Sequence, residues 1–153
     1  MKYMRLLLAA MLGFPAYAGE AWDFHLPALD GSCFVQLRHA AKPALVNFWG
    51  VDCPPCVHEL PAIDDFAALH PGWSIWLVNT DTAPLAQRFL EQHPVRSTVL
   101  RPGMNVSGLM RAVGNRIGAL PFTVVVDSQD NICFRKTGAL GQQDFAHMQQ
   151  TCR

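Results

Sequence analysis

Residues 44–61 read ALVNFWGVDCPPCVHELP. The apolar run Ala44 to Trp49, interrupted only by Asn47 and bounded by Pro43 and Gly50, predicts a buried strand. A helix is expected to follow from Pro54 to Leu69, with Val57, Leu60, Ile63, Phe66 and Ala67 as its apolar positions. Pro61 falls inside it, removes one ladder donor and is expected to kink it. Strand-then-helix sets Cys53 at a helix N-terminus. There, unsatisfied N–H groups and the helix dipole favour negative charge, and so thiolate over thiol. Cys56 is close enough to close a tight disulfide with Cys53 but lies deeper in the first turn. The spacing assigns roles: Cys53 attacks and forms a mixed disulfide, and Cys56 resolves it.

The residues around the pair set its poise. Pro54 and Pro55 suit a first helical turn, where missing N–H groups break no helical bond. They also delete two donors that could have bonded the Cys53 sulfur, leaving the Cys56 N–H as the nearest. Asp52 adds a negative charge that disfavours a second one beside it. These effects oppose the helix dipole, so a moderately lowered Cys53 pKa and a reductant's poise are expected. A zinc site would need two further ligands at a suitable spacing, which His58 and the distant His147 do not supply, so no metal is assigned. A purely structural disulfide over so short a loop would constrain the unfolded chain little. Copper(I) carriage by the same thiolates and a nearby histidine is the rival from another class. No flavin or nicotinamide fingerprint accompanies the cysteines, so no cofactor is assigned and electrons are expected to arrive by thiol exchange.

Outward from this segment, Asp30-Gly31 separates Phe24–Leu26 from Cys33–Leu37, a hairpin signal because Asp-Gly tolerates positive φ. Ser74–Val78 reads as a second buried strand. Asp81 or Thr82 can cap a helix near Pro84–Gln92, which ends at His93-Pro94. Thr98–Leu100 is extended, and a helix over Val106–Val113 is closed by Gly114. Phe122–Val126 and Ile132–Lys136 flank the polar turn Asp127–Asn131 as an antiparallel pair. Gln142–Cys152 is a final amphipathic helix with Phe145 and Met148 on one face. Strand–helix alternation followed by a hairpin and a terminal helix indicates a three-layer α/β fold with a mixed sheet and an N-terminal β-hairpin.

The chain has 153 residues, enough for one domain with a core. Lys2 and Arg5, the apolar run Leu6 to Phe14 and the Ala16-Tyr17-Ala18 site form a secretory signal pattern. Residues 1–18 are expected to be removed, leaving a single domain over 19–153 in the periplasm. An anchor formed by residues 6–18 is the alternative, though that stretch falls short of the roughly 20 residues a spanning helix needs. The exported chain would keep ten of the twelve basic residues and all twelve acidic ones, a formal charge of −2. Without a clustered basic face, nucleic acid is not an expected partner. All five cysteines lie beyond the signal, at positions 33, 53, 56, 133 and 152. Disulfides persist in an oxidising compartment, and an odd count leaves at least one thiol free or paired to another molecule.

"ALVNFWGVDCPPCVHELP" resembles the active-site strand and helix of the thioredoxin superfamily, in particular its exported TlpA-like branch of thiol–disulfide oxidoreductases. "GALPFTVVVD" (118–127) resembles the second signature, a cis-proline entering a strand opposite the cysteines. "NICFRKTGAL" (131–140) and the Asp30-Gly31 hairpin also look like family elements, so the resemblance covers most of residues 24–150. It implies a thioredoxin-like fold. It also implies that Pro121 is cis, where the residues alone would favour an ordinary trans proline at a strand start. Leu120 would offer its backbone to a client peptide. Asn47 stands where thioredoxin carries a buried aspartate, so another group must help deprotonate Cys56. Glu59 resembles a glutamate of this branch and shares a helix face with Cys56, its alternative being a solvated carboxylate. Two departures stand out. Asp52 replaces the usual tryptophan before the first cysteine, altering the client platform. Phe122 replaces the glutamate of relatives dedicated to cytochrome c maturation.

A last helix returning over its preceding strand would bring Cys133 and Cys152 together as a structural disulfide. Two buried free thiols are the alternative, and Cys33 is left over. The expected activity is reduction of client-protein disulfides, fed by a membrane electron donor. An oxidase or isomerase, accepting rather than donating, is the nearest rival.

Overall fold

Every residue of the strand Ala44–Trp49 is buried on both faces, and the molecule is arranged around it. The computed structural model describes residues 21–153, so the signal pattern of residues 1–18 lies outside the described residues. A short antiparallel hairpin comes first, β1 (His25–Pro27) with β2 (Phe34–Gln36). Its turn is held where Asp30 accepts the Ser32 N–H at 2.9 Å, and Gly31 takes φ +75°, the left-handed region glycine enters without strain. The chain then alternates through β3 (Ala44–Trp49), α1 (Pro54–Leu69), β4 (Ser74–Asn79), α2 (Ala83–Gln92), β5 (Thr98–Leu100), α3 (Val106–Ala112), β6 (Phe122–Val126), β7 (Ile132–Thr137) and α4 (Gln142–Thr151).

The five-stranded sheet has the order β5-β4-β3-β6-β7. β3, β4 and β5 run parallel, as the helical crossovers α1 and α2 allow, while β6 is antiparallel to β3 and β7 to β6. Side chains alternate across the sheet and feed two apolar cores. Ala44, Val46 and Phe48 face one core with Met110 of α3 and with Phe24 and Leu26 of the hairpin segment. Leu45 and Trp49 face the other with Leu60 and Ile63 of α1 and Met148 of α4. The result is helix, sheet, helix: the expected three-layer thioredoxin-like fold.

Two local readings change. The strands of the hairpin are shorter than the apolar runs suggest, because Leu37–His39 turns as a short 3₁₀ segment instead of extending β2. Thr82 occupies the position before α2, but no side chain caps that helix. Pro84 near its start lacks an N–H, which lessens the need for a cap, and Asp81 turns to a different partner described below. α1 runs unbroken through Pro61, whose side is exposed.

Candidate active site

Where β3 ends, the chain makes a turn that side chains from the end of β4 hold in place. The Thr80 N–H donates to the Trp49 carbonyl at 2.9 Å, and the Val51 N–H donates to Asp81 Oδ2 at 2.7 Å. Asp81 is itself fixed, its N–H donating to Asn79 Oδ1 at 2.8 Å while the Asn79 amide donates to Asp81 Oδ2 at 3.2 Å. The carboxylate that looked like a helix cap therefore anchors the turn carrying the cysteines.

Cys53 follows as the residue just before α1, with Pro54 and Pro55 opening the helix, and its carbonyl accepts the Val57 N–H at 3.1 Å. The Cys53 and Cys56 sulfurs are bonded at 2.00 Å, with the Cα atoms 5.2 Å apart. The two are not equivalent. Cys53 is half-buried at the rim of the core, whereas Cys56 is wholly buried within it. Asp52 and His58 are exposed on either side.

The antiparallel register pairs Phe48 with Phe122, which brings the start of β6 to the edge where β3 ends. The Leu120–Pro121 peptide there is cis, as is Lys42–Pro43 elsewhere. Pro121 is buried, and its carbonyl accepts the Gly138 N–H at 2.8 Å. The Leu120 side chain lies 3.4 Å from where a Cβ on Gly50 would be, in van der Waals reach of the turn that carries the cysteines.

Glu59, one turn beyond Cys56, is 2 % exposed, not solvated. Its Oε1 accepts the Asn47 amide at 2.7 Å and its Oε2 accepts the Leu140 N–H at 2.6 Å. The same Asn47 nitrogen donates to Thr123 Oγ1 at 3.0 Å, tying α1, β3, β6 and the segment before α4 into one polar knot. Burial pushes the Glu59 carboxyl above its ordinary pKa. The bonds from Leu140 and Asn47 and the attraction of Lys136 offset this only in part, and Asp144 adds to the rise. A carboxyl held nearer neutrality is able to take and return a proton.

The remaining cysteines lie apart from this edge. Cys133 and Cys152 are joined with a sulfur–sulfur distance of 2.05 Å, and Cys33 is a free, exposed thiol on the hairpin. Among the described residues no group of three or more His, Cys, Asp or Glu side chains is arranged to hold a metal ion.

A family model described as Redoxin matches residues 18–151. The chain belongs to the redoxin family. This redoxin is 32% identical over 133 residues to the thiol-disulfide oxidoreductase ResA of Halalkalibacterium halodurans, covering 84% of this chain and 73% of that one. It is 30% identical over 105 residues to a thiol:disulfide interchange protein DsbE homolog of Paracoccus denitrificans, covering 67% and 55%. Among solved structures it superposes with a TM-score of 0.74 on a thiol:disulfide interchange protein of the thioredoxin family from Chlorobium tepidum, at 18% identity and over 86% and 94% of the two chains. The redoxin thus stands in the TlpA/ResA-like branch of the thioredoxin superfamily, as its motifs implied, and is an oxidoreductase of the thiol–disulfide class.

Proposed function

We propose that this redoxin is an exported reductase of protein disulfides, with Cys53 as nucleophile and Cys56 as resolving thiol. The Cys53 thiolate attacks a client disulfide, forming a mixed disulfide and expelling one client sulfur, which takes up a proton. Cys56 then gives its proton to Glu59 and attacks the Cys53 sulfur. That closes the 53–56 disulfide and expels the second client sulfur, which is protonated in turn. Two electrons and two protons pass from the dithiol to the client. Asp52, Leu120 and Pro121 border the client, with the Leu120 backbone as its strand-like partner. A membrane thiol donor in the oxidising compartment restores the dithiol, since the chain carries no fingerprint for a nicotinamide or flavin. Among the described residues no helix is long and apolar enough to cross a membrane.

The observation that carries this reading is the asymmetry of the pair: a half-buried cysteine at a helix start bonded to a wholly buried one, next to a buried carboxylate. Insulin reduction and redox titration test it. Wild type is expected to reduce insulin, Cys53→Ser to be inert, and Cys56→Ser to accumulate the client as a mixed disulfide. The potential is expected near about −270 mV; a value near about −120 mV would mark an oxidant and overturn the direction. Insulin reduction surviving in Cys53→Ser would overturn the assignment of the nucleophile.

A further inference from the structure

The loop from Val113 to Pro121 carries the cis-proline and lies between α3 and β6, its first carbonyl accepting from the Arg135 guanidinium of β7 at 3.3 Å. Gly114 and Gly118 take φ +101° and +68°, turning the chain so that residue 119 returns to residue 115. Asn115 sits inside this turn at 4% exposure. Its Nδ2 donates to the Ala119 carbonyl at 2.8 Å and its Oδ1 accepts the Ala119 N–H at 3.1 Å. Its own N–H donates to the Met110 carbonyl at 2.9 Å, fastening the turn to the end of α3. One side chain thus occupies both backbone groups of Ala119. On the other side, Pro121 has no N–H and its carbonyl is taken by Gly138. Between them, the Leu120 N–H and carbonyl make no hydrogen bond among the described residues.

We propose that Asn115 is a positioning residue for client binding. Its carboxamide clamps the loop so that Leu120 presents one donor and one acceptor, at a fixed distance from the Cys53 sulfur, to an extended segment of the client. The inference rests on the reductase reading, in which that segment pairs with Leu120. Only a side chain carrying both a donor and an acceptor can satisfy Ala119 from position 115; aspartate lacks the donor and alanine lacks both. Without the clamp, a loop containing two glycines must be ordered during binding, which weakens the encounter with a peptide. Attack on a small disulfide that touches only the sulfur does not use the loop.

The test compares two oxidants in single turnovers of the pre-reduced protein: insulin, and 5,5′-dithiobis(2-nitrobenzoate), which is too small to span the platform. Asn115→Ala is expected to lower the ratio of the insulin rate to the small-disulfide rate by about tenfold, the scale of ordering one more backbone residue on binding. The redox equilibrium with glutathione should stay put while exchange of the Ala119 amide proton accelerates. An unchanged ratio, or both rates falling in step, overturns the proposal. Should Asn115→Ala not fold, Asn115→Asp keeps the acceptor and loses the donor, and its ratio is read by the same criterion. If neither oxidant reacts with the wild type, the reductase reading itself fails and the role of Asn115 goes with it.

Discussion

Glu59→Gln replaces one buried oxygen by an NH₂ group and removes a charge. The carboxylate is 2 % exposed and accepts from Asn47 and Leu140. Burial raises its pKa above the ordinary 4.5, so the folded protein keeps this proton to higher pH than the unfolded chain does. Between those two pKa values the native state binds more protons, and stability falls as pH rises. The contribution is fully present below the unfolded pKa and is lost as pH climbs through the folded one. Each tenfold in proton affinity corresponds to about 1.4 kcal/mol. Glutamine keeps the shape: its oxygen can still accept the Leu140 N–H. Its nitrogen, however, faces the Asn47 amide nitrogen, and turning that amide over would carry its NH₂ into the buried place where Asn47 Oδ1 has no partner. Glu59→Gln therefore removes a buried charge but leaves a buried donor without a partner, so it should be less stable than wild type at pH 5, with the deficit shrinking toward pH 8 as the wild-type carboxyl ionises. Glu59→Ala leaves the Leu140 N–H and one Asn47 hydrogen unsatisfied and should lose about 2–6 kcal/mol. Urea unfolding of the oxidised protein from pH 5 to pH 8 reads both variants. The stability of Glu59→Gln relative to wild type should rise with pH. Rapid-quench measurement of mixed-disulfide resolution should show the glutamine variant slowed about 10²-fold, with Cys53 alkylation little changed. A relative stability of Glu59→Gln that stays flat or falls with pH refutes the buried-carboxylate argument, and resolution at the wild-type rate refutes its part in proton transfer.

Two further outcomes follow from the other cysteines and from the residue before the pair. Cys152→Ser opens a disulfide spanning a separation of 19 residues. It should cost about 3 kcal/mol in urea unfolding of the oxidised protein on the chain-entropy estimate. Insulin reduction should be unaffected, because the register pairs Thr137, not Ile132, with Phe122 at the active edge; a loss below 1 kcal/mol would show that the bond adds little constraint. Asp52→Asn removes an exposed negative charge next in sequence to Cys53, the proposed nucleophile. The reduced protein should be alkylated faster by iodoacetamide near neutral pH, and an unchanged alkylation rate would refute the opposing-charge account.

What could be read along the chain was what neighbouring residues decide together. The apolar run of β3, the proline pair opening α1, the Asp30-Gly31 turn and the amphipathic face of α4 each express a local period or a local backbone constraint, and the elements lie within a few residues of where those patterns put them. Asp81 was misread for the same reason. A carboxylate just ahead of a helix usually caps it, and only the parallel pairing of β3 with β4 reveals that Val51, 30 residues earlier, offers it a better donor. Glu59 carried a helical spacing that placed it near Cys56 but no sign of its second partner, since Leu140 is 81 residues away. Asn115 sat between Gly114 and Arg116 with nothing in its neighbours to say that its amide closes on Ala119.

This division follows the chemistry of the site. The proposed nucleophile needs only a strand followed by a helix, so about a dozen consecutive residues suffice to set Cys53 at a helix start. In the proposed reaction, resolution and recognition need groups fixed relative to that sulfur from outside the helix, and such groups come from chain segments that meet only when the sheet closes. β6 supplies both: Thr123 steadies the amide that bonds Glu59, and the loop entering the strand holds Leu120 against Gly50. A change on β6 is therefore expected to act on proton transfer and client binding together, whereas a change in the cysteine turn acts first on the reactivity of Cys53.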